Sequence, residues 1–448
     1  MKDAKRYHLI AIGGAVMHNV AIDLKESGHR VTGSDDEIYE PSRSRLASFG
    51  LLPEAMGWDD ERIYSDIDTI ILGKHAKDNN PELLKAIDLN LNIVSFPEFI
   101  AQHSQATKRV CIAGSHGKTT TTSMIMHVLK YYNHDFDYLV GAKLEGFHKM
   151  VKISGADTLV VEGDEYPSSC LDNRAKMLHY NPNISVVTGV AWDHVNIYKT
   201  YDDYLEIFIR FLSEMGESDI CFFDQNDQDL LRLVLDNRFK CKLRSYLPFE
   251  LNSEGEIVRY ANTHPVQIFG SHNMSNLKAA FYVCDALGIQ EDDFFKAIQS
   301  FKGAQKRLEY IGKYHACEIY RDFAHAPSKC AASSKAMREK YPNAKITAVI
   351  ELHTFSSLNE DFIQQYAHTM DDIDIAYVFY DPHAAEMKGM PSIPPQNIKA
   401  AFQHPNLSVV TNSQLLKQEI LQSKELSDVL VVMSSGNLGG LDLKKLFD

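Results

Sequence analysis

The chain has 448 residues, of which 44% are hydrophobic and 24% charged, and a formal net charge of −14 at pH 7. That length exceeds one ordinary core and predicts two or three domains, and the composition is globular rather than disordered or fibrous. The acidic balance excludes a general affinity for nucleic acid or an anionic membrane but leaves room for a local basic pocket.

An apolar strand is predicted at 7–12, followed by the turn Gly13-Gly14, a helix through Glu26, and a second strand ending in Gly33-Ser34-Asp35. Strand, glycine turn, helix and strand ending in an acid form a mononucleotide-binding unit, although a plain packing turn fits the glycine pair nearly as well. The first apolar run is too short for a signal peptide, and no later run is long enough to span a bilayer. Short strands at 69–72 and 92–95 continue the alternation. The seven cysteines are dispersed, without C-x-x-C spacing. That predicts reduced thiols and a cytoplasmic setting, not a disulfide framework or a zinc site.

A second α/β block starts near Lys108 with an apolar strand that feeds GSHGKTT at 114–120 and an amphipathic helix through Leu129. This is the grammar of a phosphate-binding loop. Backbone N–H groups at a helix N-terminus face an anion, Lys118 adds a point charge, and Thr119 offers a hydroxyl to magnesium. The first glycine of the usual pattern is replaced by Ile112, and the alternative is a structural turn before a helix. The loop implies ATP or GTP. Further buried strands are predicted at 158–161, 184–187 and 219–223, as in a parallel sheet. Glu162 follows the first of these, at the edge where α/β sheets bind ligands, and suits magnesium; a solvated acidic loop is the alternative. His194, in Trp192-Asp193-His194 after the next strand, is a metal ligand or an ordinary loop histidine. Asn273 and Asn276 precede or open a small-residue helix at 275–287, where asparagines either cap the helix or read an adenine edge.

A third block begins near Gly303, with strands at 345–350, 376–379 and 429–433; the last ends in the polar turn 434–437. Lys306-Arg307 and Asp322-Phe323-Ala324-His325 stand at its start, placed either to close on a nucleotide from another domain or to form an interdomain salt bridge.

Six motifs in order, GSHGKTT (114–120), EGDEY (162–166), WDH (192–194), GSHNMSN (270–276), KRLE (306–309) and RDFAHAP (321–327), make the chain similar to the Mur ligases of peptidoglycan synthesis along its whole length. The resemblance implies an α/β protein of three domains. These are a Rossmann-like UDP-sugar domain at 1–106, a central P-loop ATPase domain at 107–303, and a Rossmann-like domain at 304–448 for the incoming amine. It implies ATP and magnesium, and a carboxylate activated as an acyl phosphate before amide formation. Lys118 would contact the β- and γ-phosphates within a nucleotide loop of Gly114, Ser115, His116, Gly117, Thr119 and Thr120. Thr119, Glu162 and His194 would hold magnesium. Asn273 and Asn276 would meet the adenine end, and Arg307, Asp322 and His325 would reach the nucleotide from the third domain. Gly13, Gly14, Asp35 and His75 would surround the UDP moiety.

Within the family, the stretch 8–41 resembles the branch that takes UDP-N-acetylmuramate. Segments 36–41 and 165–180 resemble members that attach the murein tripeptide L-alanyl-γ-D-glutamyl-meso-diaminopimelate during recycling. UDP-N-acetylmuramate and that tripeptide are the implied partners, with no nucleic acid, no membrane insertion and no obligatory protein partner. L-alanine as acceptor, and a nucleotide-dependent regulator without turnover, are the alternatives. Two departures stand out: Arg321 and Ala326 replace an aspartate and a histidine of many relatives, and 351–357 lacks the expected arginine.

Overall fold

The computed structural model describes residues 4–104, 106–260, 262–304 and 307–447. Three mainly parallel sheets follow one another along the chain. In the first, β1 (Arg6–Ile10), β2 (Arg30–Ser34), β3 (Thr69–Leu72) and β4 (Ile93–Ser95) lie in the order β2-β1-β3-β4, all parallel. The chain reverses direction across the sheet between β1 and β3. Gly13 and Gly14 follow one of these strands and His75 the other, so they share the crevice where such sheets bind ligands.

The second sheet contains β5 (Lys108–Ala113), β6 (Asp137–Leu139), β7 (Val151–Lys152), β8 (Thr158–Glu162), β9 (Ile184–Val187), β10 (Ile220–Asp224) and β11 (Lys242–Tyr246). Their order is β11-β10-β9-β5-β8-β6-β7, parallel except for the edge strand β7. β5 is central, flanked by β8 and β9. The loops that leave these three strands therefore meet at one edge, and they carry the phosphate loop, the acidic motif and His194. A short hairpin, β12 (Ile257–Arg259) and β13 (Asn262–His264), lies outside the sheet. The third sheet joins β14 (Glu309–Tyr314), β15 (Cys317–Asp322), β16 (Ile346–Leu352), β17 (Ile375–Tyr380), β18 (Leu407–Val410) and β19 (Val429–Met433) in the order β14-β15-β19-β16-β17-β18, with only β14 antiparallel.

The central strands are buried on both faces because helices cover both, which is why they read as apolar runs rather than alternations. The helices Lys118–Tyr131 and Ser271–Ala286 pack on one such face, where Met124, Ile125 and Val128 share a core with Leu277, Ala280 and Cys284. Each fully buried Met, Ile, Val or Leu side chain among them contributes about 1.5–3 kcal/mol. Several boundaries differ from the sequence expectation by one or more residues, and two of them bear on the site. Glu162 ends β8 instead of following it, and the helix expected from Ser275 starts at Ser271. Gly270, at φ +90°, turns the chain into that helix, and the Asn273 amide donates to the Phe269 carbonyl at 2.8 Å, so polar residues that read as a loop form the first turn. The strands β6, β7, β11, β14, β15 and β18 are short, polar or at edges, and hydrophobic patterning did not reveal them.

Polar contacts dock the sheets on one another. Lys149 reaches back to Asp23 at 2.6 Å and Glu26 at 2.5 Å, and the Met150 N–H donates to Asn19. On the other side the Ser271 N–H donates to Glu339 at 3.0 Å, and the Lys340 ammonium lies 4.1 Å from the Phe269 ring centre. The seven cysteines are all free thiols, as their scatter predicts. Among the described residues no helix is long and apolar enough to cross a membrane.

Candidate active site

β5 delivers the chain into a turn whose two glycines have positive φ, +120° at Gly114 and +75° at Gly117, and the helix starts at Lys118. Close approach also demands glycine there. A Cβ on Gly114 would stand 2.3 Å from Thr188 Oγ1, and one on Gly117 2.3 Å from Asn276 Oδ1. The Ser115 N–H donates to the Gly189 carbonyl at 2.9 Å, which ties the loop to the end of β9. The Lys118 ammonium is held by both oxygens of Glu165 at 2.8 Å and by the Gly114 carbonyl. Burial alone would lower its pKa, but Glu165 and Asp164 hold it above its ordinary value.

Thr119 Oγ1 donates to Glu162 Oε2 at 3.3 Å, while the buried Glu162 Oε1 has no hydrogen-bond partner among the described residues. Burial raises this carboxyl above its usual range. An orphaned carboxylate oxygen beside a threonine hydroxyl at a phosphate loop fits a hard cation such as magnesium. His194 groups with Asp164 and Glu165, whose ligand-type atoms lie within 4.8 Å of one another and of the imidazole. Of the expected set of three, Thr119 is bonded to Glu162, and His194 stands with two acids that the sequence reading left unassigned. His194 is at φ +59°, its ring against Tyr166 at 4.3 Å, and Lys176 binds Asp164 at 2.6 Å.

A cavity of about 100 Å³ closes the site on its other side. His116, Gly117 and Thr120 come from the phosphate loop, His272, Asn273 and Asn276 from the helix Ser271–Ala286, Arg307 from the segment just before β14, and Asp322 from the end of β15. Eight expected or adjacent residues from the second and third sequence blocks therefore share one space. Asn276 presses on Gly117 and accepts from Thr121 Oγ1 at 3.4 Å, so it shapes the loop. Asp322 accepts from the Leu308 and Ala324 N–H groups at 3.1 and 2.8 Å and from Ser333 Oγ at 3.1 Å, and burial raises its pKa. The Arg307 guanidinium lies 5.1 Å from the Phe323 ring centre. Burial keeps His116 and His272 neutral, at about 4 each, and His325, whose Nδ1 bonds the Phe323 carbonyl, at about 3. Lys306 lies outside the described residues.

Sequence reasoning missed Lys329 in this cavity, where its Nζ pairs with Asp193 Oδ2 at 3.2 Å. One signal was available. Lys329 stands in the first turn of the helix Pro327–Lys340, where a cation opposes the helix dipole and needs another reason to be present. The departure at Arg321 faces elsewhere. It pairs with its cross-strand neighbour Glu309 at 2.7 Å, while Asp322, the next residue along the strand, turns to the cavity. Ala326 is buried at the start of that helix.

In the first domain the Gly13 N–H donates to Asp35 Oδ2 at 2.7 Å and the Asp36 N–H to Oδ1 at 3.0 Å. Asp35 thus braces the glycine turn, and burial raises its pKa to about 6. Gly14 continues that turn and His75 is exposed after β3. At the carboxyl edge of the third sheet, Glu351 accepts from Ser434 Oγ and from the Leu438 N–H at 3.1 Å, and Lys388 donates to the His353 carbonyl.

Three family descriptions match in succession: "Mur ligase family, catalytic domain" over 6–108, "Mur ligase middle domain" over 112–284, and "Mur ligase, glutamate ligase domain" over 306–436. The chain is 28% identical to a UDP-N-acetylmuramate–L-alanine ligase of Caldicellulosiruptor bescii, covering 97% of this chain and 96% of that one. It is 26% identical to a UDP-N-acetylmuramate–L-alanyl-γ-D-glutamyl-meso-2,6-diaminoheptandioate ligase of Haemophilus influenzae, over 99% and 98% of the two chains. Solved structures with the same fold include a murein peptide ligase of Psychrobacter arcticus (TM-score 0.68, 21% identity, 98% and 97% covered). Another is a UDP-N-acetylmuramate–alanine ligase of Thermotoga maritima (TM-score 0.70, 20% identity, 97% and 96% covered).

Proposed function

The chain belongs to the Mur ligase family of ATP-dependent amide-bond ligases, and on that premise we propose that it joins the carboxylate of UDP-N-acetylmuramate to the α-amine of L-alanyl-γ-D-glutamyl-meso-diaminopimelate. The observation that carries the site assignment is the cavity in which the phosphate loop, Asn273 and Asn276 meet Arg307 and Asp322. We take the domains to divide near 106 and 303, one each for the UDP-sugar, ATP and the incoming peptide.

A carboxylate is a poor acyl donor because oxide would have to leave. Its oxygen attacks the γ-phosphorus of ATP, ADP departs, and the acyl phosphate so formed loses phosphate when the amine attacks the carbonyl carbon. The protein holds three reactants in line, neutralises charge and excludes water. The amides at the start of the helix Lys118–Tyr131 cradle phosphate, and Lys118 turns from Glu165 toward the β- and γ-oxygens. Thr119 and Glu162 would hold magnesium, which would supply neutralisation of phosphate charge, and Asp164, Glu165 and His194 group as a further set of candidate ligands. Gly13, Gly14, Asp35 and His75 border the UDP crevice, with Asp35 holding the turn rather than the ligand.

The choice of tripeptide rests on segments 36–41 and 165–180 and on the third sheet's edge, where Lys388 offers a cation to a peptide carboxylate. Remote carboxylates give a tripeptide binding energy that positions its amine; free alanine has little to grip. The test is a competition. With UDP-N-acetylmuramate, ATP, magnesium and equal concentrations of L-alanine and tripeptide, mass spectrometry should find the tripeptide product in excess. A product carrying alanine alone assigns the chain to the alanine-adding reaction instead.

A further inference from the structure

Two cations line the nucleotide cavity, Arg307 and Lys329, and Lys118 stands at the head of the phosphate-loop helix. Lys118 is chelated by Glu165, and Arg307 lies against Phe323. Lys329 differs from both in its partner: it comes from the third domain, and its described hydrogen bond, at 3.2 Å, is to Asp193 of the central domain, 136 residues away in sequence. An ammonium has three donors, so this contact leaves capacity for an anion. The other oxygen of Asp193 accepts the His194 N–H at 2.8 Å, which fixes the carboxylate beside the acidic cluster. Ser328, Lys329, Ala332 and Ser333 all line the cavity, so the first turns of this helix face the phosphate loop across it.

We propose that Lys329 contacts the terminal phosphate of the bound nucleotide, and that Asp193 positions it there when the third domain docks. A phosphoryl group in transfer spreads negative charge over its oxygens, and the phosphate loop neutralises that charge from one side only. A cation delivered by another domain supplies the opposite side, and only when the domains are together. Turnover is thereby coupled to docking. The inference rests on the reading that this cavity binds ATP.

The test compares a triphosphate with a diphosphate on the full-length protein. Calorimetric titration with magnesium uses the β,γ-imido analogue of ATP and, separately, ADP. Lys329→Met should weaken the analogue by roughly 10- to 100-fold, the scale of one charge-assisted hydrogen bond, and leave ADP nearly unchanged. Lys329→Arg should restore most of the loss, and Lys329→Gln gives the same comparison should the methionine variant misfold. Asp193→Asn should lower kcat while ADP affinity holds. Equal weakening of both nucleotides makes the pair a mere interdomain strap and overturns the proposal, as does unchanged affinity for the analogue. A parent protein that binds neither nucleotide overturns the cavity reading itself, which separates the two failures.

Discussion

Gly117→Ala tests the structural reading of the phosphate loop through two separable costs. The residue stands at φ +75°, a conformation that costs an alanine about 1–2 kcal/mol. The added Cβ would also lie 2.3 Å from Asn276 Oδ1 and 3.2 Å from its Cγ. Asn276 is buried on a packed helix and engaged with Thr121, so relief requires a shift of the helix or the loop, which for overpacked sites costs about 1–3 kcal/mol. The sum is about 2–5 kcal/mol. Asn276→Ala removes the offending oxygen and should recover the second part but not the first. The double-mutant cycle is therefore expected to show a coupling of about 1–3 kcal/mol, with Gly117→Ala cheaper in the truncated background. The chain has two tryptophans. A Trp58→Phe background leaves Trp192 as a fluorescent reporter within the central domain, and urea unfolding of the four proteins supplies the numbers. Strict additivity of the two substitutions would refute the contact, and an undiminished stability for Gly117→Ala would refute the loop conformation as well.

Glu162→Gln and His194→Ala should each raise the magnesium concentration for half-maximal rate, because one touches Thr119 and the other belongs with Asp164 and Glu165. Parent-like metal dependence in both variants makes them structural residues. Asp35 holds its proton up to about pH 6 in the folded chain, against 3.8 for the unfolded carboxyl. The folded state binds more protons between those values, so Asp35 withdraws stability as pH rises through the window, fully so above about pH 6. Asp35→Asn removes that penalty, and its unfolding midpoint should gain on the parent's from about pH 4 to about pH 7. A constant difference across that range contradicts the buried, Gly13-bound carboxylate.

What the sequence by itself determined is local. Strand, turn and helix around 108–129 follow from an apolar run, two glycines suited to positive φ, and a lysine and hydroxyl at a helix start, all within a few residues of one another. The succession of α/β blocks, and hence the Mur ligase architecture, was legible for the same reason: backbone sterics and burial on two faces write themselves into neighbouring positions. Nine residues of the motifs line one cavity. Their partners were not legible. Lys118 with Glu165, 47 positions on, and Lys329 with Asp193 depend on which loops the strand order brings to one edge, and on how two domains dock. The same holds for Asn276 as a wall on Gly117, for Asp35 as a brace, and for Arg321 turned to Glu309. Periodicity records which face of an element is buried, but not what lies opposite it. Only the tertiary structure decides that, because the burial of a charge is settled by the partner that packing places within about 3 Å.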